Sequence, residues 1–166
     1  MENQLSTLSP STSPQVQKVL GAKREVFRSW VDAGFITPSV QRSSQQGEQN
    51  LFDRLDVYGA GLFKHLTTSL KMKRAEAAAH VAGWRAMIKS SPAQFRTAAS
   101  IGGILIFIRH GGKVISVFSA PSMHEYVATL GKLNGDMRGK TWDDILVVNM
   151  TTIVAGIEDK LSKIGE

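Results

Sequence analysis

Apolar residues recur in helical steps over the first ninety positions and gather into strand-like runs after position 100. Val16, Val19 and Leu20 predict a first helix through residues 15–20, opened by Ser13 as N-cap with Pro14 in a first turn that needs no amide donor. Gly21 breaks it. Val26, Phe27 and Trp30 share one face of a second helix over 24–33, with Lys23, Arg24 and Arg28 off that face, and Gly34 closes it before Phe35, Ile36 and Pro38. Two short helices joined by a glycine turn, the second one basic, read as a helix-turn-helix. The polar stretch 37–50, with Ser43, Ser44, Gln45, Gln46 and Gly47 at its centre, reads as a loop between extended pieces at 36–42 and 48–52, the makings of a wing. A third helix is expected over 53–67 with Leu55, Leu62, Phe63 and Leu66 inward, weakened at Gly59 and Gly61 by about 1 kcal/mol each relative to alanine. An alanine-rich fourth helix covers 74–88.

The pattern changes after Ser90-Ser91-Pro92, which marks a candidate boundary. Two β-rich runs, 104–109 and 113–118, flank His110-Gly111-Gly112, and adjacent glycines supply the positive dihedrals of a tight hairpin. Ser122 and Glu125 have capping-box spacing and open a helix to about residue 133, and Thr141 and Asp144 repeat the signal. From there Leu146, Met150, Ile153, Ile157, Leu161 and Ile164 recur at steps of four and three, predicting a terminal helix over 142–164, about 33 Å long, although Val147 and Val148 also suit a strand at its start. Its stripe could pack on its own hairpin or against a twin in a dimer. The organisation expected is α+β: a disordered arm at 1–12, a winged helix-turn-helix domain at 13–90, and a small α+β domain at 91–166 with hairpin 104–118.

Charge sharpens this division. The net charge is +6, with twelve Lys/Arg against six Asp/Glu in residues 14–90 and eight against seven in 91–166. A basic unit joined to a near-neutral one suits a polyanion, whose condensed counterions lysine and arginine displace. Cysteine is absent and the four histidines, His65, His80, His110 and His124, have no metal-ligand spacing, so no metal and no cofactor is expected. Gly59-Ala60-Gly61 lies inside a helix rather than after a strand, so it is no nucleotide fingerprint, and no serine sits in a nucleophile elbow. No catalytic constellation is expected. The longest apolar run, 104–108, cannot span a bilayer and no secretory segment opens the chain, which points to a cytoplasmic protein.

Residues 14–88 resemble the DNA-binding domain of the MerR family of transcriptional regulators. The likeness rests on Phe27-Arg28-Ser29-Trp30, Gly34, Phe35-Ile36 and Pro38, on Gly21 at the first turn, and on Asn50-Leu51-Phe52-Asp53-Arg54-Leu55-Asp56 leading into the third helix. The resemblance implies that the second helix enters the major groove of double-stranded DNA, with Lys23 and Arg24 near the bases, Arg28 on a phosphate or base edge, and Trp30 either in the core or on the backbone. The wing departs from the family pattern, having Glu48 and no arginine before its aromatic, which shifts its contacts to Gln41, Arg42, Gln49 and Arg54. Ser29 replaces an aromatic, and the second half departs altogether. The function expected is a sequence-specific regulator, homodimeric and nucleoid-associated, with any small-molecule effector unidentified. An excisionase-like architectural DNA-binding protein and a protein-interaction module are the alternatives.

Overall fold

A computed structural model describes residues 9–43, 48–136 and 142–164. The chain forms a mixed α+β fold. It begins with β1 (Ser11–Thr12) and runs through α1 (Ser13–Leu20), α2 (Arg24–Asp32), β2 (Leu51–Phe52), α3 (Arg54–Thr68) and α4 (Arg74–Ser90). A short α5 (Ala98–Ile101) precedes β3 (Ile104–His110), β4 (Lys113–Ala120), α6 (Met123–Asp136), β5 (Asp144–Asn149) and α7 (Met150–Ser162). Two sheets result, β1 with β2, and β4-β3-β5 with every neighbouring pair antiparallel.

The expected start of the chain needs one revision. Ser11 and Thr12, assigned to a disordered arm, pair with Phe52 and Leu51, and Ser11 is buried, while residues 1–8 lie outside the described part. Thr12 rather than Ser13 is the N-cap of α1; its amide donates to the Gln15 side chain at 2.8 Å, and Pro14 sits in the first turn as expected. Gly21 then takes a left-handed conformation (φ 59°), which a side chain would oppose, and turns the chain into α2.

Helix α3 is the centre of the molecule. Asp56 through Phe63 and Leu66 are all buried, so this helix is covered on nearly every side rather than along one stripe. Its two glycines are where neighbours approach most closely. A Cβ on Gly59 would stand 3.3 Å from the Trp84 ring, and one on Gly61 would stand 2.5 Å from Ile157 Cδ1 on α7. The propensity these glycines forgo is thus exchanged for packing of α4 and α7 against the helix axis.

The terminal helix is shorter than expected. Residues 144–149 form strand β5 along β3, with Leu146 opposite Phe107 and Val148 opposite Leu105, and α7 begins only at Met150, where the Asn149 side chain accepts the Thr152 amide. The apolar spacing at 146 and 150 fits both periods, and pairing with a strand nearly forty residues away decides between them. Thr141, the proposed cap, lies outside the described residues. Met150, Val154 and Ile157 are buried within this same chain, so the apolar stripe of α7 is consumed by intramolecular packing. Lys160 of α7 also donates to the Val19 carbonyl of α1 at 3.0 Å, and Tyr58 of α3 donates to Glu158 at 2.6 Å. One continuous hydrophobic core therefore runs from Val16 to Ile157, through both segments that flank Ser90-Ser91-Pro92.

The hairpin forms as the sequence predicts, with Gly111 and Gly112 at φ 57° and 71°. Its sheet packs one face (Leu105, Phe107, Val148) into the main core, and a second, smaller cluster joins Ile106 and Ile108 on the other face to Tyr126 and Leu130 of α6. Among the described residues no helix is long and apolar enough to cross a membrane.

Two predictions follow from this packing. Gly103 has φ +114°, and a Cβ there would stand 2.7 Å from the Ala120 carbonyl oxygen. Gly103→Ala should lower stability by about 2–4 kcal/mol in urea unfolding; a variant as stable as the parent would contradict this placement. The second concerns His80, which is buried edge-on to Phe107 with Nδ1 at 2.8 Å from the Glu76 carbonyl and Nε2 without a partner. Burial first, and then the Arg109 charge, lowers its pKa below the usual 6.5. Since the unfolded chain then binds the proton more readily, this contribution to stability is complete above about pH 6.5 and is lost as pH falls below it. Unfolding free energies measured from pH 7.5 down to 5 should decline, and His80→Met should flatten that decline; an unchanged slope would contradict it.

Candidate nucleic-acid interface

Helix α2 and the turn after it are held from behind by aromatic rings. Trp30 lies edge-on to Phe63 (5.3 Å between ring centres), Phe35 stacks on Phe63 at 5.7 Å, and Phe27 meets Phe52 at 6.0 Å. Trp30 is only 4% exposed, so of its two expected roles the structure selects the core. With Phe27, Trp30 and Val31 buried, the opposite side of α2 is left to Lys23, Arg24, Glu25, Arg28 and Ser29, all exposed. Arg28 is paired loosely with Asp32 (3.4 Å), both largely in solvent, and such a pair holds the guanidinium by no more than about 1 kcal/mol.

The flank of α2 where Arg24 and Arg28 border Phe27 and Val31 forms one wall of an open cleft of about 660 Å³. Arg24 and Arg28 line it, Ser13 and Gln17 come from α1, and Ser43, Gln49 and Asn50 come from the far wall. Three of the expected residues, Arg24, Arg28 and Gln49, are thus brought together. Gln41 and Arg42 are exposed on the strand entering the loop, and Lys23 is exposed at the N-terminus of α2. Arg54 does not belong here. It is turned inward, with Nε 3.2 Å from Glu158 of α7 and its side chain only 16% exposed, because the first turn of α3 lies against α7. Acidic groups also reach the cleft, at Asp32 and Glu48. The sequence did not single out Ser13, Gln17, Ser43 and Asn50; Ser13 and Gln17, one helical turn apart on the flank of the Val16 and Val19 face, were the available signal.

Among the described residues the loop expected to be a wing forms a single bridge and not a hairpin. Gln41 bridges Leu51, with amide-to-carbonyl bonds of 3.3 and 2.8 Å, and β2 pairs on its other side with β1. Before Gln41 the Val40 amide still reaches the Leu51 carbonyl at 3.2 Å, but further pairing stops there: Pro38 has no amide hydrogen, and the Ser39 amide donates to Asp56 at 2.7 Å. The loop centre, 44–47, lies outside the described residues. At its base the Ser43 amide donates to the Asn50 side chain at 2.9 Å.

Asp56 ties this loop to the domain. It is 1% exposed, and its carboxylate accepts from the Ser39 amide and hydroxyl (2.7 Å each), from the Asp53 amide (3.1 Å), and from the Arg85 guanidinium of α4. Four donors from three segments compensate for the cost of burying the charge. Lys64 completes the support by donating to the Leu20 carbonyl at the end of α1. Among the described residues no three His, Asp or Glu side chains converge to hold a metal ion.

Compared with known proteins, the chain matches no family model, and no curated protein matches it.

Removing the carboxylate should leave Arg85 unpaired and Ser39 unanchored. Asp56→Ala is expected to cost about 3–5 kcal/mol in urea unfolding and to speed amide hydrogen exchange at Ser39 and Val40; unchanged exchange there would contradict the anchoring role.

Proposed function

We propose that this chain is a sequence-specific double-stranded DNA-binding protein that regulates transcription as a homodimer, in the cytoplasm on the nucleoid. The observation that carries the proposal is the exposed side of α2, where Lys23, Arg24 and Arg28 reach solvent beside a cleft to which hydroxyl and amide side chains contribute. A helix of this kind fits the major groove, with arginine suited to guanine edges or phosphate and lysine to phosphate. Ser13, Gln17, Ser43, Gln49 and Asn50 supply neutral hydrogen-bonding groups for the sugar-phosphate strand beside it. The resemblance of residues 14–88 to the MerR DNA-binding domain supports the same assignment, and so does the concentration of positive charge in residues 14–90. Asp32 and Glu48 at the cleft place the burden of attraction on α2 and on Arg42 rather than on the rest of the wing.

Fluorescence anisotropy with randomised duplexes tests this. At low salt the protein should bind, its affinity should fall steeply as salt rises, and Arg24→Ala with Arg28→Ala should weaken binding at least about tenfold. Arg54→Gln should bind as the parent does. Absence of binding at low salt, or full affinity in the double variant, would overturn the proposal. Selection of bound duplexes then separates a regulator, which enriches one two-fold sequence, from an architectural protein, which enriches none.

A further inference from the structure

The three-stranded sheet has two outer edges, and they are built differently. The β4 edge carries Lys113 and a register break opposite Ile108 and Arg109, and α4 packs across that strand, with Gly83 admitting Val117 and Val114. Devices of this kind prevent a further strand from adding. The β5 edge has none of them. Its sequence, Asp144-Ile145-Leu146-Val147-Val148-Asn149, contains no lysine, proline or glycine, its register with β3 is unbroken, and its single charge is bound by Arg109 at 2.6 and 2.5 Å.

Exposed apolar side chains stand on the α6 face of the sheet. Val147 is 42% exposed on the face of the sheet that carries Ile145 and the α6 cluster. Helix α6 packs through Tyr126 and Leu130, and leaves Met123 and Val127 64% and 63% exposed. Strands β4 and β5 run parallel with β3 between them, so the segment containing α6 is a crossover connection. Such connections are right-handed almost without exception, and that hand, with about 100° of turn per helical residue, sets Met123 and Val127 on the β5 flank of α6.

We propose, resting on the homodimeric DNA-binding function above, that a second copy of this chain occupies this edge, with the two β5 strands paired antiparallel and the two sheets joined into one. The strand is self-complementary. Centring the pair on Leu146 keeps like faces together and sets Ile145 of one protomer opposite Val147 of its partner, with no two carboxylates opposed. The strand edges together with Met123, Val127 and Val147 of both copies would bury on the order of 1,000 Å², the size at which specific interfaces begin. Strand β5 passes into α7 without a linker, and α7 is locked to α1 and α3 through Lys160 and Glu158. Joining the edges therefore fixes the two α2 helices relative to one another, as a two-fold site requires.

Sedimentation equilibrium on the full chain tests this. The parent should be a dimer at micromolar concentration, V147K and V127E should each weaken dimerisation at least about tenfold with unchanged circular dichroism, and I115K, on the opposite edge, should match the parent. The helix-surface variant V127E decides the matter if V147K fails to fold. A parent that stays monomeric to about 100 µM, or variants that dimerise as the parent does, would overturn the inference. The DNA function is read separately: a monomeric V147K that keeps low-salt binding to randomised duplex supports both, whereas a parent that dimerises through β5 and binds no DNA removes the function and leaves the interface.

Discussion

The constraint on which this molecule depends is the near-complete burial of α3. A helix covered on almost every side must satisfy each polar side chain it carries inward and must admit its neighbours closely. Asp56 meets the first demand with donors from Ser39, Asp53 and Arg85, and Tyr58 meets it through Glu158, where burial and that hydrogen bond together push the phenol pKa up. Gly59 and Gly61 meet the second by letting α4 and α7 close on the helix backbone. These contacts join α4 and α7 to the helix, and one core runs from α1 and α2 through to the sheet.

Every element of the candidate interface is positioned from that helix. Phe63 of α3 receives Trp30 and Phe35 and so fixes the rotation of α2, which decides that Arg24 and Arg28 face outward. Lys64 satisfies the end of α1, and Asp56 draws in the chain that becomes the wing. The outer face of α2 is left with charge and no packing duty. Its exposed side chains are held in place by rigidity supplied from the buried side of the helix.

The local parts of this arrangement were legible in the sequence. Helix periodicity, glycine punctuation at Gly21 and Gly34, and the Gly111-Gly112 turn are encoded within a few residues of where they act, and the first two helices and the hairpin formed accordingly. What the sequence left ambiguous depended on distant partners. Residues 144–149 became a strand because β3 lay open beside them, Ser11 and Thr12 became ordered because β2 pairs with them, and Arg54 turned inward because Glu158 waits on α7. Nothing local marks Asp56 as an anchor; that role needs Ser39 and Arg85, seventeen positions before it and twenty-nine after it.

The central claim is that the outer face of α2 and the cleft beside it meet double-stranded DNA. Amide chemical-shift mapping by nuclear magnetic resonance during titration with a mixed-sequence duplex examines that surface residue by residue. Perturbations are expected to concentrate at Ser13, Gln17, Lys23, Arg24, Arg28, Arg42 and Ser43, with Arg54 and the sheet unmoved. Perturbations confined to the sheet and α6, with α2 silent, would contradict it.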